Sequence, residues 1–186
     1  MAGNNNVTAR LADKYCVSVE QAQAMNARVS GVAAEEGLEY HLDRAQVSNM
    51  FDAHRLIHLA ARHGLQDAME ERLMQAYFTE GEAVGDAATL VRLAAQVGLD
   101  ETEARQVTES DAFAEDVQGD IRRARLFGIT GVPFFAIDER YGVSGAQPAD
   151  VLRQALEEAW AESHPLVRVG TSGSADAACE GDSCAI

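Results

Sequence analysis

Cysteine is scarce in this chain, three in 186 residues. An odd, small number does not make a disulfide framework. Basic residues are scarce as well, 15 against 30 acidic, for a formal net charge of −15. Such a chain repels phosphate backbones and anionic lipid, which argues against nucleic-acid and membrane-surface partners. No apolar run approaches the roughly 20 residues that span a bilayer. The opening Met1-Ala2-Gly3-Asn4-Asn5-Asn6 has neither the basic nor the apolar region of a secretory signal. These absences predict a cytoplasmic protein. In that compartment a cysteine pair is more often redox-active, metal-binding or inert than structural. Neither a cofactor nor a metal is expected.

What is present is a chain of 47% hydrophobic residues, enough for a core. Its length suits one domain, or one domain with a large insert. Residues 5 to 127 read almost entirely as helix. Val7, Leu11 and Tyr15 recur at i+4. Ser18 and Gln21 have capping-box spacing, and Val19, Ala22, Met25, Val29 and Val32 mark a long apolar face ending near Gly37. A short extended link, Leu38 to Leu42, follows. Ser48 or Asn49 caps a helix with Phe51, His54, Leu56, Ile57 and Leu59 toward the core and Gly64 at its end. Leu65, Met69, Leu73 and Tyr77 carry another, stopped by Gly81. Asp86 opens a helix with Leu90, Leu93 and Val97, and Asp100 and Glu103 form a second capping box. Ser110 caps a helix bearing Phe113, Val117 and Ile121, closed by Gly128. Roughly seven helices with short connections predict antiparallel helical packing.

The pattern then changes. Gly128 to Val132 is a glycine-punctuated loop, and Pro133 precedes the strand-like Phe134-Phe135-Ala136-Ile137, apolar on both faces as in a buried strand. Asp138-Glu139-Arg140 makes a turn and Tyr141-Gly142-Val143-Ser144 returns. Gln147-Pro148 opens a last helix through Trp160, with Val151, Leu152, Ala155, Leu156, Ala159 and Trp160 as a core-facing stripe. An isolated two-stranded hairpin is marginal in water, and residues 1 to 127 offer no partner strand. The hairpin's sheet is therefore expected to be completed by residues outside this chain or by another subunit, or else to be poorly ordered. Residues 165 to 186, rich in Gly, Ser, Ala and Asp, read as a flexible acidic tail.

Three segments carry a resemblance. They are Gly128-Ile129-Thr130-Gly131-Val132-Pro133-Phe134-Phe135 with Gly142-Val143-Ser144-Gly145-Ala146-Gln147-Pro148; Asn49-x-x-x-Ala53-His54-Arg55-Leu56; and Ala76-Tyr77-Phe78 followed by Gly81-Glu82. Over about residues 7 to 162 the chain resembles the FrnE-type branch of the DsbA-like thiol-disulfide oxidoreductases. That branch is related to 2-hydroxychromene-2-carboxylate isomerases and kappa-class glutathione transferases. The resemblance implies an α/β thioredoxin fold with a helical insert: residues 1–127 as the insert, 128–162 as the hairpin and last helix of the thioredoxin fold, and 163–186 as the tail. It implies thiol-disulfide exchange with protein or small-molecule thiols and disulfides, a homodimer being left open. The Cys-x-x-Cys of the family's first helix has no counterpart here, so no catalytic residue is assigned. The missing strand, Cys-x-x-Cys helix and strand amount to roughly 50 residues, expected upstream of Met1. Without them the chain is expected to be weakly active or inactive. The alternatives are a non-catalytic module that binds peptides or a partner, and a glutathione-using isomerase or transferase.

The site residues follow from that resemblance. Val132-Pro133 matches the family's cis-proline loop, although cis is only about 5–6% of X–Pro bonds in folded proteins. Val132, Pro133 and Thr130 are expected to position substrate by strand addition. His54 borders the active-site cleft by resemblance, against a plain core role by its apolar helix. His58, one turn on, shares its face, but the pair lacks the flanking Glu of a zincin site. Cys179 and Cys184 form a Cys-x4-Cys pair similar to an accessory redox pair of some FrnE-type members, with an inert tail or half a zinc site as the other readings. Asp176, Glu180 and Asp182 around them disfavour thiolates. Cys16, where similar proteins carry glycine, is expected to be a small buried or half-buried residue.

Overall fold

The structure, a computed structural model, describes residues 6–164. The chain divides into two compact units between Ala124 and Arg125. The first is all helix: α1 (Val7–Tyr15), α2 (Val19–Glu35), α3 (Phe51–Arg62), α4 (Gln66–Met74), a π-helical turn (Gln75–Glu80), α5 (Ala87–Gln96), α6 (Glu101–Thr108) and α7 (Ala114–Leu126), whose last turn enters the second unit. The second contains β1 (Phe134–Ile137), β2 (Tyr141–Ser144) and α8 (Ala149–Ser163). Mostly helix with a small antiparallel sheet is the architecture expected of an insert-bearing thioredoxin fold.

Local chemistry sets the helix starts. Ser18 and Gln21 form a reciprocal capping box on α2. Asp86 and Asp100 accept from the backbone N–H of Thr89 and Glu103, so Asp100 caps α6 from one side only. Ser110 accepts from Ala112 N, but α7 begins only at Ala114, after Phe113 at φ 60°. The core of the first unit is built on Leu56, Leu59, Met69, Leu90, Leu93 and Val84, from α3 to α5. Through it runs the buried Arg55. Its guanidinium donates to the carbonyl oxygens of Ala112 (2.7 Å), Val107 and Ser110 and pairs with Asp52 at 2.8 Å. A cation on an apolar helix is thereby satisfied by ordering the segment that joins α6 to α7.

The apolar face of α2 is largely bare: Val19, Met25, Val29 and Val32 are exposed, and only Ala22 and Ala33 of that helix are buried. Two expectations are corrected. The α8 stripe is likewise open, with Val151, Leu156 and Trp160 exposed and Ala159 alone buried. The strand β1 is not buried on both faces: Phe135 and Ala136 are exposed and Phe134 and Ile137 half-buried. Periodicity reports which face is apolar, not what lies against it.

Candidate functional site

In the second unit, β1 and β2 pair antiparallel with Phe134 opposite Ser144 and Ile137 opposite Tyr141. The turn between them places Asp138 and Glu139 in the left-handed region, the backbone sense that suits a tight hairpin. Gly145 N donates to Pro133 O at 2.9 Å, so the returning strand fixes the residue just ahead of β1. The Val132–Pro133 peptide bond is cis. Val132 is 90% exposed, Thr130 and Pro133 are exposed, and Val132 makes no backbone hydrogen bond among the described residues. A bare N–H and C=O at the head of a strand can accept an extended peptide as an added strand.

His54 lies in the first unit and is exposed, a correction to its placement on the core side of α3. It stands two residues from the fully buried Leu56, just over half a turn round the helix. The same face carries Ile57, His58 and Ala61 into a cleft of about 750 Å³. Val7, Leu11, Arg10 and Lys14 of α1 form one wall; Glu70, Leu73 and Met74 of α4 and Tyr77 and Phe78 of the π turn form another. Tyr77 meets Phe78 edge-on at 4.9 Å, and Phe78 stacks on Tyr40 at 4.6 Å. Burial pushes the Tyr77 hydroxyl above the usual phenol value. His58 Nε2 is 2.8 Å from Asp120 Oδ2, and its ring stacks on Phe113 at 6.4 Å. The walls that face α3 across the cleft, and Asp120 among them, were not legible in the sequence. The i, i+4 pair His54–His58 was the cleft's one local signal, whereas Asp120 arrives from 62 residues away.

Cys16 is exposed, not buried as expected. It caps α1 at φ 52°, the left-handed conformation that glycine takes most easily, which agrees with its standing where glycine is usual in similar proteins. Its Sγ lies 3.9 Å from Asp13 O, so this helix end offers the sulfur carbonyl groups and no donor. Cys179 and Cys184 lie outside the described residues. Among the described residues no group of His, Cys, Asp or Glu is placed to hold a metal, and no helix is long and apolar enough to cross a membrane.

A helical unit followed by a cis-proline loop, hairpin and helix defines the class. A family model for the DSBA-like thioredoxin domain matches residues 1–157, and the chain belongs to that family. The crystal structure of a probable DsbA oxidoreductase from Streptomyces coelicolor is similar at 41% identity and a TM-score of 0.80. The match covers 95% of this chain and 77% of that one. The uncharacterised protein YwbO of Bacillus subtilis is 28% identical over 102 residues, 54% of this chain. The match spans 50% of that curated relative's length.

Proposed function

We propose that the chain is the substrate-positioning part of a FrnE-type thiol-disulfide oxidoreductase acting in the cytoplasm on protein or small-molecule thiols and disulfides. The observation that carries this reading is the bare Val132 backbone at the head of a two-stranded hairpin. The half-exposed apolar strand β1 fits a sheet that takes further strands, supplied by chain outside the described residues or by a partner. In the completed protein a thiolate at a helix N-terminus attacks one sulfur of the substrate disulfide. A mixed disulfide forms and the other substrate sulfur leaves as thiolate. A second thiol then attacks the mixed disulfide, leaving the protein oxidised and the substrate reduced; the reverse sequence oxidises a dithiol. Val132 N–H and C=O hold the substrate backbone during both attacks. No residue of this chain matches either thiol, which keeps a non-catalytic peptide-binding module as the second reading.

The test is an amide-resolved NMR titration with a peptide whose single cysteine is S-alkylated, so that binding is seen without exchange. Saturable shifts centred on Gly131 and Val132 are expected. Val132→Pro removes the donor and should weaken binding about tenfold, one lost hydrogen bond, while Val132→Ala keeps it. Equal binding by Val132→Pro contradicts the reading.

A further inference from the structure

The helical cleft has a charge pattern that thiol exchange does not use. Its lining is largely apolar, with Leu11, Ile57, Leu73, Met50 and Met74 among the residues. At about 750 Å³ it falls within the range of small-molecule sites. The ionisable groups lining it differ in how they are engaged. The two acids are taken up: Glu70 accepts from Gln66 Nε2 at 2.9 Å, and Asp120 pairs with His58. The bases are not. Arg10 and Lys14 lie one turn apart on α1 and have no carboxylate partner among the described residues, Lys14 resting only over the Tyr15 ring at 5.3 Å. The His54 ring makes no hydrogen bond there either. In a chain of net charge −15, cations without acidic partners on the wall of an apolar cleft are informative.

We propose that this cleft binds an organic anion with an aliphatic body, of the medium-chain carboxylate class. The alkyl chain lies against the Leu, Ile and Met lining, whose adaptable methionines suit a flexible chain better than a rigid ring. The carboxylate is met by Arg10 and Lys14, with His54 as an additional donor. Nothing in this binding uses Val132 or any thiol, so it stands or falls apart from the exchange reading.

The experiment is isothermal titration calorimetry of the full chain with decanoate, below its micellar concentration, beside decanol and glutathione. Saturable one-to-one binding of decanoate is expected, with decanol much weaker and glutathione, anionic but without an alkyl body, silent. The double variant Arg10→Glu, Lys14→Glu should bind decanoate about tenfold more weakly or worse. Ala61→Trp, at an exposed position of the cleft wall, should abolish binding while circular dichroism stays unchanged. Arg153→Glu on α8 and Val132→Pro should bind as the parent does. Decanoate binding that survives the charge reversal, or decanol binding as tightly as decanoate, overturns the anion assignment. Binding that survives Ala61→Trp places the ligand elsewhere and overturns the site. Capture of an apolar acidic peptide with no response to decanoate makes the cleft a protein-docking groove and overturns the proposal.

Discussion

At the scale of single residues, the most consequential group is Arg55. It is 4% exposed and bonded to three backbone carbonyls, one in the last turn of α6 and two in the connection to α7. Arg55→Ala leaves those carbonyls without their donor and should destabilise the chain by about 3 kcal/mol in urea unfolding. Arg55→Lys should recover only part of this, since an ammonium cannot reproduce the guanidinium fork. Asp86 supports a pH prediction. The Thr89 backbone N–H, and then its side chain, hold the Asp86 carboxyl below the usual value. A depressed folded value contributes stability that is present above the unfolded value and lost as pH falls through the folded one. The urea midpoint gap between the parent and Asp86→Ala should therefore be constant at neutral pH and close below about pH 4. Asp86→Asn keeps an acceptor and should show no such titration. Asp86 was legible as a cap from its position ahead of an apolar-periodic run. Arg55 was not, because its acceptors lie more than 50 residues away and carry no side-chain signature.

At the scale of elements, the helix order could be read in advance because capping residues and left-handed glycines punctuate it. Gly64, Gly81 and Gly128 all have positive φ at helix ends. Gly81 is the tightest: at φ 73° a Cβ there stands 2.7 Å from Arg44 Cβ and 3.0 Å from Arg44 O. Gly81→Ala should cost about 2 kcal/mol by combining backbone strain with that clash, measured as a shift in urea midpoint. The π turn Gln75–Glu80 was not legible, because Leu65, Met69, Leu73 and Tyr77 continue a helical period through it. It is the π turn that carries Tyr77 and Phe78 into the cleft wall. The apolar stripes of α2 and α8 were legible as stripes, and the α8 stripe was wrongly read as core. Amphipathicity records an intention to bury a face, and the burying surface is a separate element that no period reveals.

For the whole molecule, the residues that carried the family resemblance sit in both units, and the family itself is shown by the match over residues 1–157. Each unit leaves apolar surface exposed, on α2 in the first and on β1 and α8 in the second, and the sheet has two strands among the described residues. On the proposed function, this chain positions a substrate for thiols it does not itself supply. The most direct measurement is insulin-disulfide reduction by the chain alone and by the chain extended with a strand, a Cys-x-x-Cys helix and a strand. Background rates are expected for the chain alone, unchanged by Cys16→Ser. Turnover is expected for the extended chain, lowered about tenfold by Val132→Pro. Turnover by the chain alone that Cys16→Ser abolishes, or extended-chain turnover indifferent to Val132→Pro, would contradict the proposed function.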